Sequence, residues 1–210
     1  MSVKINYKKN SLKKNSFSLI LFTDEKFNIL GLKKYILKAD YLFVSDLIKT
    51  KDLNKNILSF DISSKKKIIL ISLKKNAKNS EVENSGAKLY DLLKDLNQDQ
   101  YVINSDTINN SKLVGYFLHG IKLKSYKFDK YKTKKIKKNI SIYLIGNNKP
   151  SLKDQIKFKS IEDGTFYTRD LVSEPGNILH PDEYARRLVQ LKKYGLKITV
   201  YDKKKLKKLG

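Results

Sequence analysis

Pro175, Gly176, Pro181 and Gly195 punctuate the stretch from Ile161 to Tyr201 and restrict what it can fold into. Phe166, Leu171 and Val172 are spaced for an apolar helical face, and Pro175 closes that helix. The proline ring clashes with the preceding turn and pushes Glu174 away from the α region. Gly176-Asn177 supplies a turn, because both residues tolerate positive φ. Pro181 suits the first position of a second helix, whose positive N-terminal dipole Asp182 and Glu183 complement. Tyr184, Leu188 and Leu191 give that helix a stripe expected to be buried. Gly195 ends it, and Leu196, Ile198 and Val200 then alternate as a strand. The expectation is helix, tight turn, helix, strand.

Upstream, the pattern alternates between the two periods. Residues 1–16 are polar and Lys/Asn-rich and read as a loose lead-in. Ser16–Thr23 reads as a buried strand with Asp24-Glu25-Lys26 as its turn. Leu30–Ile48 has helical spacing in parts, Ile57–Ile62 alternates weakly, and Lys67–Leu73 is a clear apolar strand. Ser80–Leu96 places Val82, Ala87, Leu89, Leu92, Leu93 and Leu96 on one broad face, with Ser80 and Glu83 in a capping-box pattern. Tyr101–Asn104 is a short strand, and Ser111–Lys122 is a helix burying Leu113, Phe117 and Leu118. Lys124–Tyr131 is extended and then basic. Asn139–Ile145 is a strand closed by Gly146-Asn147-Asn148, and Pro150 opens a long helix, Ser151–Ser173. Strands alternating with helices imply an α/β fold with a mixed or largely parallel sheet covered on both faces.

The formal net charge of +24 raises the question of a phosphate-backbone partner. Only Arg169, Arg186 and Arg187 are arginines, and arginine is the preferred bidentate reader of phosphate and guanine. The lysines come with abundant Asn, Ile and Tyr, residue types that share A/T-rich codons, and they are dispersed rather than patched. Genome bias accounts for them more simply than nucleic-acid binding. The chain has no cysteine, which excludes disulfides, thiolate zinc sites and a cysteine nucleophile. No apolar run approaches the ~20 residues needed to span a bilayer. Phe17–Phe22 is shorter than a signal-peptide core of about 7–15 residues. A cytoplasmic protein is expected.

The run Thr168-Arg169-Asp170-Leu171-Val172-Ser173-Glu174-Pro175-Gly176-Asn177, then Pro181, a helix and a strand ending Val200-Tyr201-Asp202, resembles the leucyl aminopeptidase (cytosol aminopeptidase) family. Ser173 stands where that family usually has Asn, and His180 where it has Thr. The likeness is specific over Thr168–Gly210. Upstream it is looser, resting on Gly86-Ala87 at a helix opening and on Tyr126–Lys135. The resemblance implies a macro-domain-like N-terminal domain over residues 1–149 and a linker helix over 150–174. Residues 175–210 would begin a peptidase catalytic domain that is truncated here. It also implies a metal-dependent enzyme that removes leucine-like N-terminal residues from peptides, working as a homo-oligomer, a hexamer by family. Two divalent ions, zinc or manganese, would activate a bridging water, with a lysine and an arginine stabilising the oxyanion. Those ligands and catalytic residues are expected beyond Gly210. The resemblance therefore assigns no catalytic, cofactor-binding or metal residue in this chain, and the chain alone is expected to be inactive. Two other classes stay open: a basic nucleic-acid-binding module, and a stand-alone macro-like ligand-binding domain.

Each residue that could carry chemistry also has a plain structural reading. A macro-like phosphate site needs a glycine-rich loop that lets backbone N–H groups approach the ligand. Ser72-Leu73-Lys74 stands where the family has its glycines, and Gly115–Gly120 lies in a helical pattern instead. His119 and His180 lack metal-ligand spacing; His119 reads as a partly buried helix residue and His180 as a helix start. Asp24-Glu25 reads as a turn and Asp182-Glu183 as dipole capping. Adjacent carboxylates such as Glu162-Asp163 point about 100° apart on a helix and do not converge. Asp170 beside Arg169 reads as a structural ion pair. The basic runs Lys132–Lys138 and Lys203–Lys208 read as solvated faces, although Leu206 and Leu209 give the second an apolar side in need of a partner.

Overall fold

The computed structural model describes residues 2–7, 17–108, 110–133 and 138–210. Most of the expected lead-in and part of the first basic run, residues 134–137, lie outside them. The chain divides into two compact units, Met1–Asp163 and Gly164–Gly210.

The first unit is built on one six-stranded sheet. Its strands are β1 (Ser2–Tyr7), β2 (Ser18–Thr23), β3 (Ile57–Ser63), β4 (Lys66–Ser72), β5 (Gln100–Asn104) and β6 (Asn139–Ile145). They lie in the order β1-β6-β5-β2-β4-β3. Every neighbouring pair is parallel except β3 with β4. This is the mixed α/β sheet that the alternating periods imply. The central strands β2 and β4 bury almost every residue, as a sheet covered on both faces requires.

Helix α1 (Lys38–Leu47) covers one face, where Leu21, Phe60, Ile68 and Leu70 pack with Tyr41 and Val44. Helices α2 (Asn79–Asp95) and α3 (Ser111–Lys124) cover the other, closing over Ile20, Ile69, Ile103 and Ile142. Burying each such side chain stabilises the fold by about 1.5–3 kcal/mol. Two glycines let α2 and α3 meet backbone to backbone. A Cβ on Gly86 would lie 2.0 Å from the Phe117 carbonyl oxygen, and one on Gly120 would lie 1.9 Å from that of Glu83.

Three local expectations need correction in this unit. Residues 2–7 are a strand, not a loose lead-in, because β1 pairs in parallel along β6 from Ser2↔Asn139 to Tyr7↔Leu144. The start of α2 is two residues earlier than the Ser80/Glu83 pattern suggests. The Lys78 N–H donates to the Glu81 carboxylate at 2.7 Å, which frees Glu83 for another role. Lys138 is not merely a solvated charge: its ammonium donates to the carbonyls of Leu93, Lys94 and Leu96, capping the C-terminus of α2.

Helix α4 (Leu152–Ser173) continues into the second unit, which adds α5 (Pro181–Val189) and α6 (Lys203–Leu209). Pro181 opens α5, and Gly195 at φ 84° ends the 3-10 turn that follows it, as the punctuation implies. The turn after α4 closes by hydrogen bonds from Ile178 and Leu179 to the Pro175 carbonyl. Gly176 and Asn177 supply the expected turn, and neither takes a positive φ. Residues 196–201 form no strand; among the described residues no ladder pairs with them, and Leu196, Val200 and Tyr201 are exposed. The apolar stripe expected here is only partly covered: Tyr184 of α5 is exposed, while Leu188 and, in the turn that follows, Leu191 are half-buried. Val172 on α4 is 82% exposed, opposite in fate to its neighbour Leu171.

Candidate functional site

Within the first unit, a cleft of about 560 Å³ runs between α3, β1 and the first half of α4. Gly115, Leu118, His119 and Lys122 share one face of α3 by their three- and four-residue spacing. Phe158, Lys159 and Glu162 repeat that spacing on α4, and Val3 and Ile5 of β1 supply further wall. Gly115 brings α3 and α4 together, since a Cβ there would lie 2.5 Å from the Phe158 ring. Gly115–Gly120 is thus a helical packing run, as the pattern implies, rather than a phosphate loop.

His119 is 6% exposed. Its Nδ1 lies 3.0 Å from Glu83 Oε2 on α2, and its ring tilts against Phe158 at 5.1 Å between centroids. Its Nε2 is buried with no hydrogen-bond partner, an orphan of the kind native interiors rarely keep. Lys122 Nζ donates to the Val3 carbonyl at 2.9 Å and pairs with Glu162 Oε1 at 3.2 Å. The Glu162 side chain is only 7% exposed and receives Lys159 on the same oxygen at 3.5 Å. Lys159 also binds Asp163 at 2.6 Å, and that hydrogen bond holds its ammonium pKa above the ordinary lysine value. Glu162 and Asp163 diverge as expected of adjacent helical residues, one inward and one outward. Burial raises the pKa of the Tyr7 phenol at the cleft's edge.

The other candidate residues fall apart in space or into structural roles. Asp24 Oδ1 accepts from the N–H groups of Lys26 and Asn28, so Asp24-Glu25 is a turn. His180 is the exposed residue before α5, with no side-chain capping bond. Glu183 does more than complement a dipole. It accepts from Arg186 at 2.6 Å and Arg187 at 2.7 Å, which together hold its carboxyl down to about 2. Arg187 also reaches Glu174 at 3.0 Å, fastening α5 to the end of α4. Tyr167 adds a hydrogen bond from its hydroxyl to the Arg187 carbonyl. Ser72, Leu73 and Lys74 line a second cleft of about 550 Å³ beside Ser85 and Lys88 of α2. No glycine lines it.

Among the described residues no group of three or more His, Cys, Asp or Glu side chains is placed to hold a metal ion. The described residues are thus not grouped to form a two-metal centre. Among the described residues no helix is long and apolar enough to cross a membrane.

The six-stranded mixed sheet with flanking helices is the fold of the N-terminal domain of leucine aminopeptidases. A tomato leucine aminopeptidase mutant superposes with a TM-score of 0.75 at 15% identity, covering 99% of this chain and 46% of that one. A cytosol aminopeptidase from Coxiella burnetii gives 0.62 at 16% identity, covering 94% and 40%. The sequence agrees with the fold. A probable cytosol aminopeptidase from Afipia carboxidovorans is 38% identical over 96 residues, 43% of this chain and 19% of the relative. One from Rhodopseudomonas palustris is 40% identical over the same length. The resemblance to the leucyl (cytosol) aminopeptidase family therefore holds in both sequence and fold. The matched stretch spans about a fifth of these curated relatives' own length. No protein-family model matches the chain.

Proposed function

We propose that this chain is the N-terminal part of a metal-dependent leucyl aminopeptidase, acting on peptides with leucine-like N-terminal residues. The observation that carries the reading is the likeness in fold to a leucine aminopeptidase over 99% of the chain. The homologous stretch in relatives named cytosol aminopeptidase supports it independently. In this reading residues 1–149 form the N-terminal domain, 150–174 the linker helix, and 175–210 the start of the catalytic domain. The uncovered apolar residues of the second unit, Tyr184, Leu196, Val200, Leu206 and Leu209, agree with a surface built to pack on more of that domain.

The intact enzyme would hold two divalent ions, zinc or manganese, supplying a water acidic enough to attack a peptide carbonyl. In this reading the chain supplies architecture rather than the metal chemistry. A homohexamer in the cytoplasm completes the proposal. The test is a leucine p-nitroanilide assay with Mn²⁺ or Zn²⁺. The purified chain should give no turnover above a metal-only blank, and turnover that co-purifies with it would overturn the assignment.

A further inference from the structure

We infer that the cleft between α3, β1 and α4 is a binding site for a free α-amino acid with an apolar side chain. Its volume of about 560 Å³ falls in the range of small-molecule sites. Its walls are chiefly hydrocarbon, from Val3, Ile5, Leu118, Leu152, Ile156 and Phe158. Leu152 and Ile156 are 77% and 67% exposed, one helical turn apart, so part of that wall is uncovered.

Lys4, Tyr7, Gln155, Lys159 and Ser160 also line the cleft, and between its helices stand an acid and a base with valence to spare, Glu162 and Lys122. Both lysine contacts to Glu162 fall on Oε1, leaving Oε2 without either of them. An ammonium has three donors, and Lys122 spends two, on Val3 and Glu162. His119, with Nδ1 on Glu83, presents a buried Nε2 that has no partner. A zwitterion satisfies this set. Its ammonium donates to Glu162 Oε2 and His119 Nε2, its carboxylate accepts from Lys122, and its side chain lies on the aliphatic wall. An apolar amine would leave the Lys122 donor unused, and an apolar carboxylate would face Glu162. Requiring both charged ends is what separates an amino acid from either.

The aminopeptidase reading enters only in making leucine the first probe, since it is the product that enzyme would release. The site itself rests on the cleft. The full 210-residue chain would be titrated with L-leucine by heteronuclear NMR and calorimetry. Isoamylamine, 4-methylpentanoate and glycine are the comparison ligands. Leucine should saturate in the millimolar range or tighter and shift the amides of Leu118–Lys122 and Ile156–Glu162. The comparison ligands should bind about tenfold or more weakly. Glu162→Gln and Lys122→Met should each weaken leucine by a similar factor. Ile156→Trp fills the cleft from an exposed position and should abolish binding without lowering Tm. Absence of saturation by leucine and by phenylalanine would overturn the site, whatever the p-nitroanilide assay gives. Equal binding of the amine or the acid, or binding that survives Ile156→Trp, would overturn it too.

Discussion

Replacing Gly120 by alanine sets two effects of opposite sign against each other. Helix propensity alone favours alanine by about 0.8–1 kcal/mol in a helix interior. The packing of α3 on α2 opposes it. The new Cβ would lie 1.9 Å from the Glu83 carbonyl oxygen and 2.7 Å from its carbon, both backbone atoms that no rotamer change can move. The helices would have to part by about 1 Å before the contact reached even 3.0 Å. A gap of that order forfeits roughly a quarter to a half of each dispersion well across the interface. That interface includes the fully buried Val82, Leu89, Phe117 and Ile121. Overpacking of this kind typically costs about 1–3 kcal/mol. With such direct backbone overlap the cost falls at the upper end of that range, so after the propensity gain the net loss for Gly120→Ala should be about 2 kcal/mol, or roughly 4–8 °C in Tm at this chain length. Gly164, inside α4, has nothing within 4 Å of a Cβ, so there propensity acts unopposed. Gly164→Ala should therefore stabilise by about 0.5–1 kcal/mol. Thermal and urea denaturation followed by circular dichroism would measure both. A Gly120→Ala protein as stable as the parent would refute the close-packing argument, because the same substitution would then be following propensity at both sites.

Three further outcomes are expected. The Glu183 carboxyl, held down to about 2 by Arg186 and then Arg187 against an ordinary 4.5, contributes stability that is complete above 4.5 and is lost as pH falls toward 2. NMR titration of its side-chain carbon should give a midpoint near the lower value, and an ordinary midpoint would contradict the bridge geometry. Hydrogen exchange should find the amides of Ile68–Leu73 strongly protected and those of Leu196–Tyr201 barely protected, since the latter lack a ladder among the described residues; equal protection in a monomer would contradict this. Duplex DNA should bind weakly, without sequence preference, and dissociate at moderate salt, because dispersed lysines give only a screened counterion effect. Tight binding to one sequence at physiological salt would favour the nucleic-acid class instead.

How much of this was legible in the sequence depends on how local the cause is. β4, α2, α3 and β6 announce themselves because burial on one or both faces imposes a period on neighbouring residues. The Pro181 and Gly195 boundaries are legible for the same reason, since each acts on its own dihedral angles. β1 was not, because Ser2–Tyr7 becomes a strand by pairing with residues 139–144, far along the chain. The reverse error at Leu196–Val200 has the same origin: alternation marks a segment able to be a strand, and a strand exists only against a neighbour. The cap of α2 was misplaced because Lys78/Glu81 and Ser80/Glu83 offer the same three-residue spacing. In the cleft, each wall's helical spacing could be read, but not which helices face one another. The Glu83–His119 contact and the Glu162–Lys122 pair each join positions about forty residues apart, with no local signal.

The central claim is that this chain is the N-terminal part of a leucyl aminopeptidase, and a domain exchange tests it most directly. The chain would replace the structurally equivalent portion of the Afipia carboxidovorans relative, and the chimera would be assayed on leucine p-nitroanilide with Mn²⁺. A folded chimera that turns over substrate, while the chain alone does not, is the expected result. A chimera that folds and assembles like its parent yet is inactive, or a chain active without any added segment, would contradict the claim.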